Sequence, residues 1–303
     1  MKIFLLLTKR NIKLFFKDKV MFLTSLIAPL ILLVLYTLFL QRVYRDSFIA
    51  ILPAGVSKKI LNGAVAAQLL SSLLAVTCVT VAFCSNMLMV QDKVTGARKD
   101  IDVSPVRQST VALSYYLASV VSTLIVCLVA YAGGLVYVAA SGGWCLRFTD
   151  LLLILLDTVI LVLFGTAFSS VIHFFLTSQG QISAVGTVVS AGYGFICGAY
   201  MPLSQFSKGL ATLFCFLPGT YGTSLVRNHC FNGVCAEMGK AAETAAYVDG
   251  IRDAFDCNLY IFGHGVPQFA AWLVILGSTA LLIGLYVLQN VLRIRKTGGR
   301  TAA

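Results

Sequence analysis

Acidic residues are scarce in this chain: 12 Asp and Glu stand against 23 Lys and Arg in 303 residues, and charged residues make up only 12% of the total. Hydrophobic residues make up 58%, and the mean hydropathy is +0.89, which excludes an ordinary soluble domain. Several chemical signatures are missing as well. There is no G-x-x-x-x-G-K-[ST], so the chain cannot cradle nucleotide phosphates in that way. There is no H-E-x-x-H, and His173, His229 and His264 lie far apart, which argues against a metalloprotease or a two-histidine haem site. Asp157 is the only acidic residue well inside an apolar run, so a paired-aspartate intramembrane protease lacks its second carboxylate. The net charge of +11 is not gathered into one basic domain with interleaved aromatics, so no nucleic-acid partner is expected and no metal site is proposed.

What is present is a series of apolar runs long enough to cross a bilayer. The sequence predicts an all-α integral membrane protein, one domain over 1–303, with spans at 20–40, 64–90, 110–140, 150–176, 182–202 and 266–292. Residues 1–19 precede them as an amphipathic segment. Lys2, Lys9, Arg10, Lys13 and Lys17 fall in one sector of a helical wheel, opposite Phe4, Leu5, Ile12, Phe15 and Phe16, which suits a helix lying along an anionic membrane face. A secretory signal peptide fits less well, because the run that follows is too long and has no small-x-small cleavage site. Pro29 predicts a kink in the first span. Residues 41–63 read as a mixed polar connector. Residues 203–227 are apolar but interrupted by Lys208, Pro218 and Gly219, which suits a re-entrant hairpin before the last span. Residues 228–265 read as a long extracellular loop.

Six spans place both termini on one side. Fourteen of the 23 Lys and Arg fall in the N-terminal segment, the 91–109 connector and the C-terminal tail, and nine fall on the other side. The positive-inside rule then makes the termini and that connector cytoplasmic, in a cell membrane.

The connector 91–109, QDKVTGARKDIDVSPVRQS, is a polar island between two charge-free spans. It is expected to face water. Asp92 to Asp100 can form a short helix with Gly96 in its middle, and Ser104-Pro105 predicts the start of the next helix. A short polar helix there can insert into a cleft of a soluble subunit; an ordinary solvated loop is the competing reading. Asp157 has two readings as well. It either lies on a hydrated path or in a bond that locks helices, or, more simply, it faces water at an outer helix end near Arg147.

Six cysteines lie in or near apolar runs as small hydrophobes, while Cys230, Cys235 and Cys257 fall in the outer loop, where two of them are expected to pair in an oxidising exterior. Small residues Gly186, Ser190, Gly194 and Gly198 recur every three or four positions in span five and form a face that another helix can approach closely, within one subunit or between two.

The island residues Asp92, Lys93, Gly96, Arg98, Lys99 and Asp100, followed by Ser104-Pro105-Val106, resemble the cytoplasmic connector between spans two and three of ABC-2-type export permeases. Gly198-Ala199-Tyr200-Met201-Pro202-Leu203-Ser204-Gln205, then Leu217-Pro218-Gly219-Thr220-Tyr221 and Arg227, resemble that family's fifth span and re-entrant hairpin, with Pro202, Pro218, Gly219 and Tyr221 as hairpin markers. The likeness covers most of the chain. It implies a non-catalytic permease subunit of an ATP-driven exporter that works with a second permease copy or a homologous permease. It also implies a path lined largely by spans two and five, and a separate ABC ATPase that docks on the six island residues and holds ATP and Mg. The island begins Gln91-Asp92 where such permeases often carry a denser charged run, and the outer loop is long. A reading from another class, an ATPase-independent channel or receptor whose outer loop senses a ligand, stands beside it.

Overall fold

The computed structural model describes residues 2–53, 56–240 and 242–298. Helix α1 (Lys2–Lys17) buries Thr8, Asn11 and Phe15, and it lies mainly against α6 (Gln108–Ala140) rather than apart from the bundle. Asp18, which interrupts the amphipathic pattern, caps the next helix: its Oδ1 accepts from the amides of Val20 and Met21 at 3.0 and 3.1 Å.

The first span is longer than its apolar run. Helix α2 (Lys19–Leu35) contains Pro29 and passes through a π turn, Tyr36–Leu40, into α3 (Gln41–Ile51), so helix replaces the first part of the expected polar connector. Aromatic packing carries it past the hydropathy boundary. Tyr36 stacks on Tyr44 with centroids 5.8 Å apart, and Phe48 stacks on Phe255 at 4.1 Å.

Helix α4 (Lys58–Val94) is the central pillar. Its 37 residues reach about 55 Å, and 94% of its most apolar stretch is buried. α2, α6, α7 (Phe148–Phe175), α8 (Gln179–Ile196) and α10 (Pro218–Met238) all pack on it. Close approach to α7 depends on Gly165: a Cβ there would lie 2.9 Å from the Cys78 carbonyl oxygen and 3.0 Å from Val79 Cα. The short helix α5 (Ala97–Asp102) follows α4 after a break at Gly96.

Among the described residues, five helices are long and apolar enough to cross a membrane, or six if α9 (Lys208–Cys215) and α10, bent by 88°, form one broken span. The expected fifth span, α8, is 18 residues long, enough for a short crossing, and is not among the five because its two glutamines and four glycines dilute its apolar character. It runs antiparallel to α4, from a contact with Val90 near its start to the Ser72–Ala199 hydrogen bond just past its end. The outer layer holds α11 (Ala242–Ala245), α12 (Val248–Ala254) and a hairpin, β1 (Leu259–Ile261) and β2 (His264–Val266), in register Leu259 to Val266. α13 (Gln268–Gly298) returns along the bundle, with Tyr286 reaching Met89 near the same end of α4 as α5. The apolar windows of the first and last spans are only 22% buried, so most of their surface is left for lipid or another subunit.

The loop expected at 228–265 begins later. α10 continues to Met238 and takes Asn228, His229, Cys230 and Cys235 into the interior, because its polar side chains find buried partners there.

Candidate functional site

The polar island divides into a braced base and an exposed tip. Asp92, in the last turn of α4, is only 5% exposed. It accepts two hydrogen bonds from the Arg10 guanidinium, at 2.6 and 3.1 Å, and one from the Tyr115 hydroxyl at 2.5 Å. Arg10 Nη1 also donates to Asn11 Oδ1 at 2.9 Å. The bond to Asp92 raises the Arg10 pKa further above its ordinary value, against the opposing effect of burial. Helix α1 is thus fastened to α4 and α6 through one carboxylate.

Arg98 is also buried. Its Nε donates to Asp102 at 3.0 Å, its Nη2 donates to Gln108 at 2.7 Å, and its guanidinium lies 5.7 Å from the Tyr115 ring centre. Lys93 Nζ donates to the carbonyls of His173, Phe174 and Leu176 at 3.1, 2.7 and 3.0 Å, closing the C-terminal end of α7. The expectation that all six island residues face water therefore fails for Asp92, Lys93 and Arg98. Asp92 and Lys93 spend their charges on partners 80 or more residues away, and Arg98 spends its charge on Asp102 and Gln108 close by.

Gly96 does not sit inside a helix. Its φ of 88° reverses the chain between α4 and α5, a conformation that favours glycine. Nor does α6 start at Ser104-Pro105. Ser104 Oγ donates to the Ile101 carbonyl at 2.6 Å, closing α5, and α6 begins at Gln108. The exposed tip includes Lys99, Asp100 and Val103, the last 86% exposed, with Asp102, Pro105 and Arg107 also exposed beside them.

A second feature lies between the first span and α8. A groove of about 860 Å³ is walled by α2, its π turn and α3 on one side and α8 on the other, with Cys84 and Met87 of α4 as its floor. No Asp, Glu, Lys or Arg is among the described residues that line it. The small-residue stripe splits here. Gly186 and Ser190 line the groove, while the Tyr200 ring packs on Gly194 and Gly198 turns the chain at φ 73°. Pro202 closes the outer end, Pro218 opens α10, Gly219 abuts the Tyr193 hydroxyl and Tyr221 is buried.

The outer half of the bundle is sewn together by two buried pairs. His229 Nδ1 and Asp157 Oδ2 are 2.5 Å apart, joining α10 to α7, so Asp157 locks helices and does not face water. Arg227, with no exposed surface, donates to the carbonyls of Gly198 and Phe255 at 2.7 and 3.0 Å and to Asp256 at 3.3 Å. Asp256 in turn accepts from the Leu203 amide at 2.5 Å. All nine cysteines are free, which corrects the expected disulfide: Cys230, Cys235 and Cys257 are buried and unbridged. Among the described residues no three His, Cys, Asp or Glu side chains converge as a metal site would require.

Arg10, Val103, Tyr115, His229 and Asp256 were not singled out for these roles by the sequence. Val103 alone carried a signal, an apolar residue in a polar segment. The others are known only through partners distant in the chain.

The family model for the ABC-2 type transporter matches residues 2–231, from α1 into α10. No curated protein and no solved structure matches the chain.

Proposed function

Given that the chain belongs to the ABC-2 type transporter family, we propose that this multi-pass permease docks a separate ATP-hydrolysing subunit on the tip of α5. We propose further that it pairs with a second permease copy to turn the groove between α2 and α8 into an export path. The observation that carries the docking reading is the division of the island: an exposed Val103 beside exposed Lys99 and Asp100, on a base fixed by Asp92, Lys93 and Arg98. An apolar centre with a charged rim is the composition of a protein interface. A rigid base lets a push on the tip reach the spans. ATP and Mg belong on the partner, since this chain has no phosphate-cradling loop.

We also propose that both termini and α5 lie in the cytoplasm of a cell-membrane protein. The fourteen-to-nine distribution of Lys and Arg supports this, as do the positions of α1, α5 and the Tyr286 stretch of α13 near one end of α4. The groove takes over the role that the resemblance gave to spans two and five: α8 supplies one wall, and buried α4 contributes only Cys84 and Met87. Its lining without charged residues suits cargo whose passing portion is uncharged. The ligand-sensing loop is shorter than that reading expects, because α10 takes its first residues, through Met238, into the interior.

The test is co-purification of the ATPase with a Val103→Asp, Lys99→Glu permease, together with ATP hydrolysis by the complex. Losing a charge pair desolvated at an interface costs about 2 to 5 kcal/mol, so retention of the partner should fall by roughly 30-fold or more. Full retention with unchanged hydrolysis would move docking away from α5.

A further inference from the structure

We propose that Lys93 is the positioning residue that carries displacement of the α5 tip into α8, the wall of the groove. The inference rests on the docking reading above and adds the route by which the tip acts. Lys93 occupies the last turn of α4, beside Asp92. Asp92 grips α1 and α6 through Arg10 and Tyr115, whereas Lys93 grips α7, so the end of α4 is held on both flanks. An ammonium has three donors, and three carbonyls lie within their reach in the last turn of α7 and at its C-cap, where the helix has no donors of its own. The charge also sits at the negative end of that helix and 5.6 Å from the Phe174 ring centre.

The last of these acceptors, Leu176, is separated from the α8 cap, Ser178, by Thr177 alone. That short turn is pinned. Gln181 Oε1 accepts from the Thr177 amide at 2.8 Å, and the Gln181 amide donates to Ser178 Oγ at 3.3 Å. Val90 of α4, Leu176 and Ile182 of α8 bury one another beside it. On the other flank, Gly96 begins α5 within one turn of Lys93. Tip, α4 end, α7 cap and α8 start therefore form one continuous set of contacts. Lys93 is its polar joint. Beyond its first turn α8 leans chiefly on α4, and it leaves Val188 71% exposed, so little else steers it from this end. Without the ammonium, the apolar patch at Val90 is left to slide, since burial alone is not directional.

The experiment is hydrogen exchange followed by mass spectrometry on the permease–ATPase complex, with and without ADP and vanadate. The segments to compare are 94–107 and 179–190. In the wild type both should change on trapping the nucleotide. Lys93→Met, and Lys93→Gln as a second loss variant if the first fails to assemble, should keep the change at 94–107 and lose it at 179–190. Lys93→Arg, which keeps charge and donors, should restore at least part of it. A merely structural role would raise exchange in both states alike and leave the nucleotide-dependent difference intact. Retention of the difference at 179–190 in Lys93→Met or Lys93→Gln overturns the inference, and so does an Arg variant indistinguishable from Met. No change at 94–107 in the wild type overturns the docking reading and this inference with it.

Discussion

Replacing Asp92 by alanine tests whether the island is a brace or a loop. The side chain is 5% exposed and accepts three hydrogen bonds, two from Arg10 and one from Tyr115. Breaking a buried pair by removing one partner costs about 3 to 5 kcal/mol, because the other charge is left uncompensated. Arg10 is the milder case, since its side chain is 34% exposed and can turn to water, so we assign the pair about 2 to 3 kcal/mol. The Tyr115 hydroxyl, at a residue 3% exposed, loses its acceptor for about 1 kcal/mol more. At roughly 2 to 4 °C per kcal/mol for a chain approaching this size, the melting temperature should fall by on the order of 10 °C. The assay is thermal unfolding in detergent, followed by the fluorescence of Trp144 and Trp272. Asp100→Ala is the control, because Asp100 is exposed on the tip and surface substitutions stay within about 0.5 kcal/mol. Asp92→Asn should lie between the two, since the amide keeps one acceptor. If Asp92→Ala and Asp100→Ala melt together, the brace contributes nothing, and the island is a solvated loop after all.

Arg227→Met should destabilise the outer half by about 3 to 5 kcal/mol by leaving Asp256 buried without its counter-charge, and Arg227→Met with Asp256→Asn should be milder than Arg227→Met alone; simple additivity of the two in melting experiments would refute the pairing. Alkylation after unfolding without reductant should modify all nine cysteines, and a protected pair among Cys230, Cys235 and Cys257 would contradict the buried free thiols. A cysteine at Lys99 should react with an impermeant reagent only from the cytoplasmic face and one at Phe262 only from the other, so labelling of position 99 from outside would invert the topology.

The spans were legible because hydropathy is a local property, and lipid imposes it over every turn of a helix. Where packing inside the protein overrides local composition, the sequence misplaced the boundaries. Gln41–Ile51 looks polar, yet Tyr44 and Phe48 keep it helical against Tyr36 and Phe255. Asn228–Met238 looks like a loop because it holds Asn228 and His229, and those residues are inside because Cys257 and Asp157 receive them. No local pattern announces a partner 72 residues away, so the sequence left the helix lock that Asp157 makes as one of two readings and the water-facing one as the simpler.

The island shows the same limit at closer range, and its resolution bears on mechanism. Counted by composition, Asp92, Lys93, Arg98, Lys99 and Asp100 are equivalent charges in one polar stretch. The fold separates them by what each can reach: Arg10 is 82 residues from Asp92 and the α7 carbonyls are about as far from Lys93, while no described residue covers Lys99, Asp100 or Val103. A permease driven by another subunit needs both kinds of residue close together. A tip of mobile charges could bind a partner but would absorb its push, because exposed pairs are weak and screened. On the docking proposal, charge-assisted bonds at the base to α1, α6 and α7 would resist that push and divide it among three helices. The scarce acidic residues are placed accordingly: Asp92 is committed to the brace, and Asp100 is left at the tip, where a partner subunit can meet it.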